Sequence, residues 1–165
     1  QQLDTDGDGQ LTSEEIGASP GLEVVAAELD TNRDSQLSTE ELRARLQLYV
    51  DARLAINSFP ILVTYNGKPL LGVTVKLFPE DFLADVVEPA KGITDDFGYV
   101  YPSIELDPEL RERGTHGFRS GVYRVEVSKL DAGGNEQIPS QYNTDSELGL
   151  EIKMEEHMEP LRIDL

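Results

Sequence analysis

The stretch that decides the N-terminal fold of this chain is residues 4–15, which read Asp4-Thr5-Asp6-Gly7-Asp8-Gly9-Gln10-Leu11-Thr12-Ser13-Glu14-Glu15. Carboxylates occupy every second position at its start, and a further carboxylate, Glu15, ends it. Ca²⁺ takes about six to eight oxygen ligands, which a short loop supplies by this kind of spacing. Gly9 stands sixth, where the backbone must turn into a conformation that a β-carbon disfavours. The stretch therefore predicts a calcium-binding loop.

A second stretch with the same spacing follows at residues 30–41. Two copies in tandem make a chance match a poor explanation. Seven carboxylates are concentrated in the two stretches, and without metal they would repel one another, so we expect calcium to hold this segment folded. They are Asp4, Asp6, Asp8, Glu15, Asp30, Asp34 and Glu41.

These two stretches resemble the loops of an EF-hand pair. The resemblance covers about a third of the chain and implies up to two bound Ca²⁺ ions. The second loop departs from the pattern at its sixth position, where Ser35 replaces glycine at a cost of roughly 1 kcal/mol. Asn32 also lowers the charge of that loop by one, so we expect weaker binding there. The ligands implied by the resemblance are Asp4, Asp6, Asp8, Gln10 through its carbonyl, Thr12 and Glu15, and then Asp30, Asn32, Asp34, Gln36, Ser38 and Glu41.

The composition excludes several classes of partner. The 165 residues carry a net charge of −18, from 32 acidic and 14 basic side chains. Such a surface repels nucleic acid and anionic membranes. Cysteine is absent, which excludes disulfides and thiolate metal sites. No segment has the roughly 18 consecutive apolar residues of a membrane-spanning helix, so we expect no membrane insertion.

Residues 1–57 have the pattern of helices and loops. Thr12 and Ser38, each followed three residues later by a glutamate, predict the start of a helix at the end of each loop. The first helix should be short, because Pro20 and Gly21 interrupt it. A second helix is predicted over Leu22–Leu29, and a long exit helix over about residues 39–57. Leu11 and Leu37 should pair in a short strand contact. Only three residues precede the first loop, where a helix normally leads in, so we expect a longer parent protein.

Residues 59–165 have a different pattern, made of short β-rich runs between turn signals. This predicts a two-part α+β chain, with an N-terminal α-helical EF-hand pair (residues 1–57) and a C-terminal all-β antiparallel sandwich (residues 59–165). A loop or one helical turn is predicted at Pro108–Arg113. The predicted strands are Ile61–Tyr65, Val73–Phe78, Tyr99–Ile104, Val122–Val127 and Leu161–Leu165.

The β region resembles the transthyretin-like (prealbumin-like), carboxypeptidase-regulatory-like domains of secreted bacterial proteins. The resemblance implies a location outside the cytoplasm, in the cell envelope or secreted, and implies a fold more firmly than an activity. It rests on the order of three motifs and a matching tail: Val63-Thr64-Tyr65-Asn66-Gly67-Lys68-Pro69-Leu70-Leu71-Gly72-Val73-Thr74-Val75, Thr94-Asp95-Asp96-Phe97-Gly98-Tyr99, Ser120-Gly121-Val122-Tyr123-Arg124-Val125, and then 138–143, 148–152 and 160–165.

We therefore expect a non-catalytic protein in which calcium orders the EF-hand pair beside a β-sandwich that acts as a spacer or interaction domain. A methionine-rich groove, typical of calcium sensors, is not encoded in residues 1–57. One alternative is a module that binds a glycan or a protein, with tyrosines as stacking surfaces: Tyr65, Tyr99, Tyr101, Tyr123 and Tyr142.

The other alternative is a small hydrolase of the transthyretin-like kind. It would draw on the two histidines, His116 and His157. Neither histidine lies in a recognisable ligand or base motif, and a solvent-exposed histidine is the simpler interpretation of both. The pair Asp95-Asp96 is interpreted as part of a turn.

Overall fold

The computed structural model describes residues 3–52, 56–106, 108, 112, 116–153 and 160–165. Its N-terminal part consists of three helices and two short strands. In chain order these are β1 (Gln10–Leu11), α1 (Ser13–Ile16), α2 (Pro20–Leu29), β2 (Leu37–Ser38) and α3 (Thr39–Ala52). No helix among the described residues is long and apolar enough to cross a membrane.

Reciprocal caps begin the two helices that follow the loops, as the sequence predicts. The Thr12 hydroxyl accepts a hydrogen bond from the Glu15 N–H, and the Glu15 carboxylate accepts one from the Thr12 N–H. Ser38 and Glu41 form the same pair at the start of α3. Each cap fixes the last residue of a loop to the first turn of a helix.

The helix α2 begins two residues earlier than predicted. Ser19 is its N-cap, and its hydroxyl accepts a hydrogen bond from Leu22 N–H at 3.4 Å. Pro20 then occupies the first turn, where its fixed φ suits the helix and its missing N–H has no cost. Pro20, which was expected only to interrupt the first helix, therefore starts α2, whereas α1 already ends at Ile16 with Gly17 as its C-cap.

The predicted extension of the exit helix to about residue 57 is wrong. α3 is assigned as far as Ala52, and Asn57 instead forms an antiparallel bridge with Phe118. The Asn57 N–H donates to the Phe118 carbonyl at 2.7 Å, and the Phe118 N–H donates back at 2.9 Å. These hydrogen bonds use the backbone groups that a helix would need, so the chain has entered the β region by residue 57.

After α3, the described residues contain nine strands and two single turns of 3₁₀ helix, at Asp81–Leu83 and Ser140–Tyr142. The strands are β3 (Ile61–Tyr65), β4 (Lys68–Pro69), β5 (Thr74–Pro79), β6 (Ala90–Ile93), β7 (Tyr99–Val100), β8 (Ser103–Ile104), β9 (Gly121–Ser128), β10 (Gly149–Ile152) and β11 (Leu161–Asp164).

The strands form two sheets. One has five antiparallel strands in the order β10-β9-β5-β6-β8, and the other has the order β11-β3-β4 with β7 also paired to β3. The second sheet corrects the prediction of purely antiparallel pairing, because β11 runs parallel to β3. The long connection from β3 to β11 leaves the direction of the last strand free, whereas a tight hairpin would force it antiparallel.

The predicted strand Tyr99–Ile104 is wrong as a single element. Its first half, β7, pairs with β3 in one sheet, and its second half, β8, pairs with β6 in the other. Pro102 lies between the halves and has no N–H for a ladder hydrogen bond, so the chain changes sheets there. The strand β6 was not predicted, since its sequence Ala-Lys-Gly-Ile lacks alternation. Most of the predicted turn at Pro108–Arg113 lies outside the described residues.

One cluster of buried side chains runs through both parts of the molecule. It includes Leu11, Leu22 and Leu37 from the N-terminal part, and both sheets contribute to it. The sheet of β11, β3 and β4 contributes Ile61, Val63 and Ile163. The five-stranded sheet contributes Val75, Leu77, Val122, Val125, Val127 and Ile152. The N-terminal helices therefore extend the core of the sheets, because their buried faces are covered by the same cluster.

Contact between the two parts is closest where α2 packs against β9 and β10. At Gly149 a β-carbon would lie 2.0 Å from the Pro20 carbonyl oxygen, and at Gly21 it would lie 2.7 Å from Val122 Cγ1. The Gly21 N–H also donates to Glu80 Oε1 at 2.7 Å. Only glycine allows α2 to approach the sheet this closely.

We expect Gly149→Ala to separate α2 from β10, because the clash is with backbone that cannot rotate away. The change should lower the free energy of unfolding by about 2 kcal/mol, as overpacking of a filled interface does. Gly17→Ala is the matched control, since its β-carbon would meet only ordinary contacts of 3.5 Å or more. Urea unfolding of both variants measures the difference, and equal stability of the two variants would contradict this packing.

Candidate metal centre

Three aspartates of the first loop lie together. Asp4, Asp6 and Asp8 each offer a carboxylate oxygen, and these oxygens lie within 4.8 Å of one another. Asp6 and Asp8 are exposed, and Asp4 is half-buried. Carboxylate oxygens in this number are the donors that a hard divalent cation takes, and a 4.8 Å spread fits oxygens about 2.3–2.6 Å from one shared ion.

Backbone N–H groups of the loop hold these carboxylates in place. Asp4 accepts hydrogen bonds from Gly7 N–H at 2.7 Å and Gly9 N–H at 3.1 Å. Asp8 accepts one from Gln10 N–H at 2.8 Å. Gly7 and Gly9 have φ values of 74° and 84°, so both lie in the left-handed region that glycine adopts without strain. The sequence predicted this requirement at Gly9.

The glutamate that ends the first loop is also held by loop donors. Glu15 accepts from the N–H and hydroxyl of Thr12, both at 2.9 Å, and from the N–H and hydroxyl of Thr5 at 2.7 and 2.8 Å. These hydrogen bonds, led by the one from the Thr12 backbone, lower the pKa of Glu15 to about 2. Its carboxylate is therefore ionised throughout the neutral range and has the charge that a cation requires.

The second loop repeats this arrangement. Asp30 accepts from Asp34 N–H at 3.1 Å and from Ser35 N–H at 2.9 Å, and Asp34 accepts from Gln36 N–H at 2.9 Å. Asn32 places its side-chain oxygen 2.9 Å from the Asp34 nitrogen. Ser35 has a φ of 65°, so it takes the left-handed conformation that the first loop assigns to glycine.

Glu41 closes the second loop as Glu15 closes the first. The N–H and hydroxyl of Ser38 donate to it at 3.0 and 2.7 Å, and those of Thr31 donate at 2.9 Å each. The hydrogen bonds from Ser38 come first among the causes that lower the pKa of Glu41 to about 2. The roles of Thr5 and Thr31 were missed from sequence, although both stand second in their loops.

The two loops are joined side by side. β1 and β2 form a two-stranded antiparallel pair in which Leu11 lies opposite Leu37, as predicted, and both leucines are buried. The Thr39 hydroxyl donates to the Gly9 carbonyl across the pair at 3.1 Å. The strand pair and this hydrogen bond therefore connect the two loops directly.

The remaining predicted site residues are dispersed. Tyr123 is fully buried and donates its hydroxyl to the Arg119 carbonyl at 2.7 Å, so it cannot stack on a ligand, whereas Tyr65 and Tyr101 are exposed. His116 is exposed, and His157 lies outside the described residues. Asp95 caps the turn before β7, where its Oδ1 accepts from Phe97 and Tyr99 N–H.

A comparison with protein families agrees with the loop geometry. The family model described as EF hand matches residues 1–18. No curated protein and no solved structure matches the chain. The N-terminal segment therefore contains an EF-hand element, and the match and the aspartate triplet together indicate a divalent metal site with calcium as its metal.

We expect Ser35→Gly to strengthen calcium binding at the second loop about fivefold, since it removes roughly 1 kcal/mol of left-handed strain from the ordered loop. Gly9→Ser introduces the same strain in the first loop and should weaken that site by a similar factor. Calorimetric titration of the wild type and both variants measures the two constants. A lower affinity in Ser35→Gly would contradict the strain assigned to this residue.

Proposed function

We propose that this chain is a calcium-binding, non-catalytic module in which Ca²⁺ orders an EF-hand pair against the β-sheets. The observation that carries the proposal is the position of α2. This helix lies between the two loops and packs on β9 and β10. Its last residue, Leu29, is followed directly by Asp30, the first acidic residue of the second loop. Metal binding that fixes the loops would therefore also fix the position of α2, which packs in the core.

In this proposal each loop binds one Ca²⁺ through side chains and one backbone carbonyl. Calcium would neutralise the loop carboxylates, while the Glu15 and Glu41 carboxylates connect each ion to the first turn of the following helix. The ligands are those expected from the sequence: Asp4, Asp6, Asp8, Gln10, Thr12 and Glu15, and Asp30, Asn32, Asp34, Gln36, Ser38 and Glu41.

We further propose that the two sheets form a transthyretin-like sandwich outside the cytoplasm, where it serves as a spacer or interaction domain. Two sheets that contribute to one core, and the ordered motifs of residues 63–75, 94–99 and 120–125, support this proposal. Calcium is plentiful outside cells, so affinities of about 10⁻⁴–10⁻³ M would keep the sites filled there. The metal then acts as a permanent structural element.

The test of calcium binding is titration calorimetry on the wild type, Glu15→Gln and Glu41→Gln. Each substitution keeps the shape of the side chain but removes a charged ligand, so each should weaken its own loop by about tenfold or more. Glu14→Gln and Glu40→Gln are the matched controls, because both residues are exposed neighbours of the ligands. These controls should bind as the wild type does.

The structural role is tested by thermal unfolding with and without calcium. A Ca²⁺ concentration of about one hundred times Kd should add about 2.7 kcal/mol of stability for each site, and a chelator should remove it. Magnesium serves as the comparison cation. If the wild type gives no binding heat, and its unfolding midpoint is the same in calcium and in chelator, the proposed function is wrong.

A further inference from the structure

A cluster of charged and polar side chains joins both helices of the second loop to the sheet. Arg45 on α3 contacts Glu28 on α2 and Glu151 on β10, each at 2.9 Å. Lys153 lies 2.7 Å from Glu28 and 3.5 Å from Glu151. The Tyr49 hydroxyl donates to Glu151 at 2.5 Å. We call these five residues the clasp.

The clasp is partly shielded from solvent. The Glu151 side chain is 7% exposed and that of Arg45 is 20% exposed, whereas Glu28 is 57% exposed. Tyr49 is buried. Ion pairs that are shielded from water require accurate placement of both partners. If one partner is misplaced, the other charge stays buried without compensation, which costs free energy. The clasp therefore favours one arrangement of α2, α3 and β10 over others.

The positions of α2 and α3 also determine the positions of the two ends of the second loop. Glu28 precedes Asp30 by two residues, and Asp30 is the C-cap of α2. Arg45 and Tyr49 follow Glu41 by one and two helical turns, so all three side chains lie near one face of α3. The clasp consequently fixes the two chain segments that carry the first and last side chains of the loop.

We infer that the clasp preorganises the second loop for calcium, so that metal binding there is coupled to the docking of α2 and α3 on β10. This inference rests on the proposed function, since it concerns the same loop. A loop whose helices are held in place loses less conformational freedom when it binds metal. By linkage, calcium in the loop must stabilise the docked helices by the same free energy.

Glu151→Gln tests the coupling, because Glu151 lies on the sheet and outside both loops. In a Glu15→Gln background, which weakens the first loop, it should lower the calcium association constant of the second loop by about tenfold. The matched control is Glu88→Gln, which breaks an ion pair of similar exposure between Glu88 and Arg119 at 2.5 Å, and this pair includes no residue of the clasp. The control should change the constant by less than about twofold.

Three calorimetric outcomes are distinct. No calcium binding to the second loop in the Glu15→Gln chain contradicts the proposed function itself. Binding that is equally tight with and without Glu151→Gln overturns the clasp alone. A roughly tenfold loss confined to Glu151→Gln supports the coupling.

A second measurement needs no change in the clasp. Calcium should slow amide hydrogen exchange in Gly149–Ile152 of the wild-type chain, and Glu41→Gln should abolish this slowing. The β5–β6 pair (Thr74–Pro79 and Ala90–Ile93) serves as the internal control. Calcium bound at the second loop without slower exchange in β10 would overturn the inference even if Glu151→Gln did not fold.

Discussion

Asp4, Asp6 and Asp8 hold three negative charges within 4.8 Å, in a chain whose net charge is already −18. Two charges at that distance repel by on the order of 1 kcal/mol in bulk water and by more near a protein surface. Hydrogen bonds from loop N–H groups orient these carboxylates but cancel little of their charge. A bound cation would remove this repulsion, which the packing of the N-terminal part against the sheets must otherwise offset.

The helices of this part have little independent stability. α1 has four residues and α2 has ten, and isolated helices of such lengths are marginal in water. The stability of α2 comes instead from packing. Its buried face is formed by Leu22, Val25 and Leu29, and the sheet has a glycine where the helix crosses it. The helix α2 leads directly into the second loop and also covers one face of the sheet. It therefore connects the loop to the hydrophobic core.

The sequence predicts local features of this molecule well, because local features are set by neighbouring residues. The caps at Thr12 and Ser38 and the paired leucines all follow from residue type. The dipeptide Asn66-Gly67 is typical of turns, and both of its residues have positive φ values. The grouping of Asp4, Asp6 and Asp8 likewise follows from local sequence, since the three residues lie within five positions of one another.

Features that depend on distant partners were missed. Nothing local distinguishes Asn57, which pairs with Phe118, from the last turn of a helix. Pro102 marks a break in a strand, but only the second sheet shows that the chain crosses there. Arg45 and Glu151 meet although they are far apart in sequence, and each alone resembles an ordinary solvated charge. Long-range pairs of this kind carry no signal in a single sequence.

The two loops differ in their sequence and in the contacts that their flanking helices make with the sheet. The first has glycine at its sixth position and the full set of carboxylates, and only the four-residue α1 follows it. The second carries three less favourable residues, Asn32 and the left-handed Arg33 and Ser35, yet α2 packs on the sheet and Arg45 and Tyr49 of α3 contact Glu151 on β10. Under the coupling we infer, contacts with the sheet would compensate for weaker ligand chemistry in the second loop.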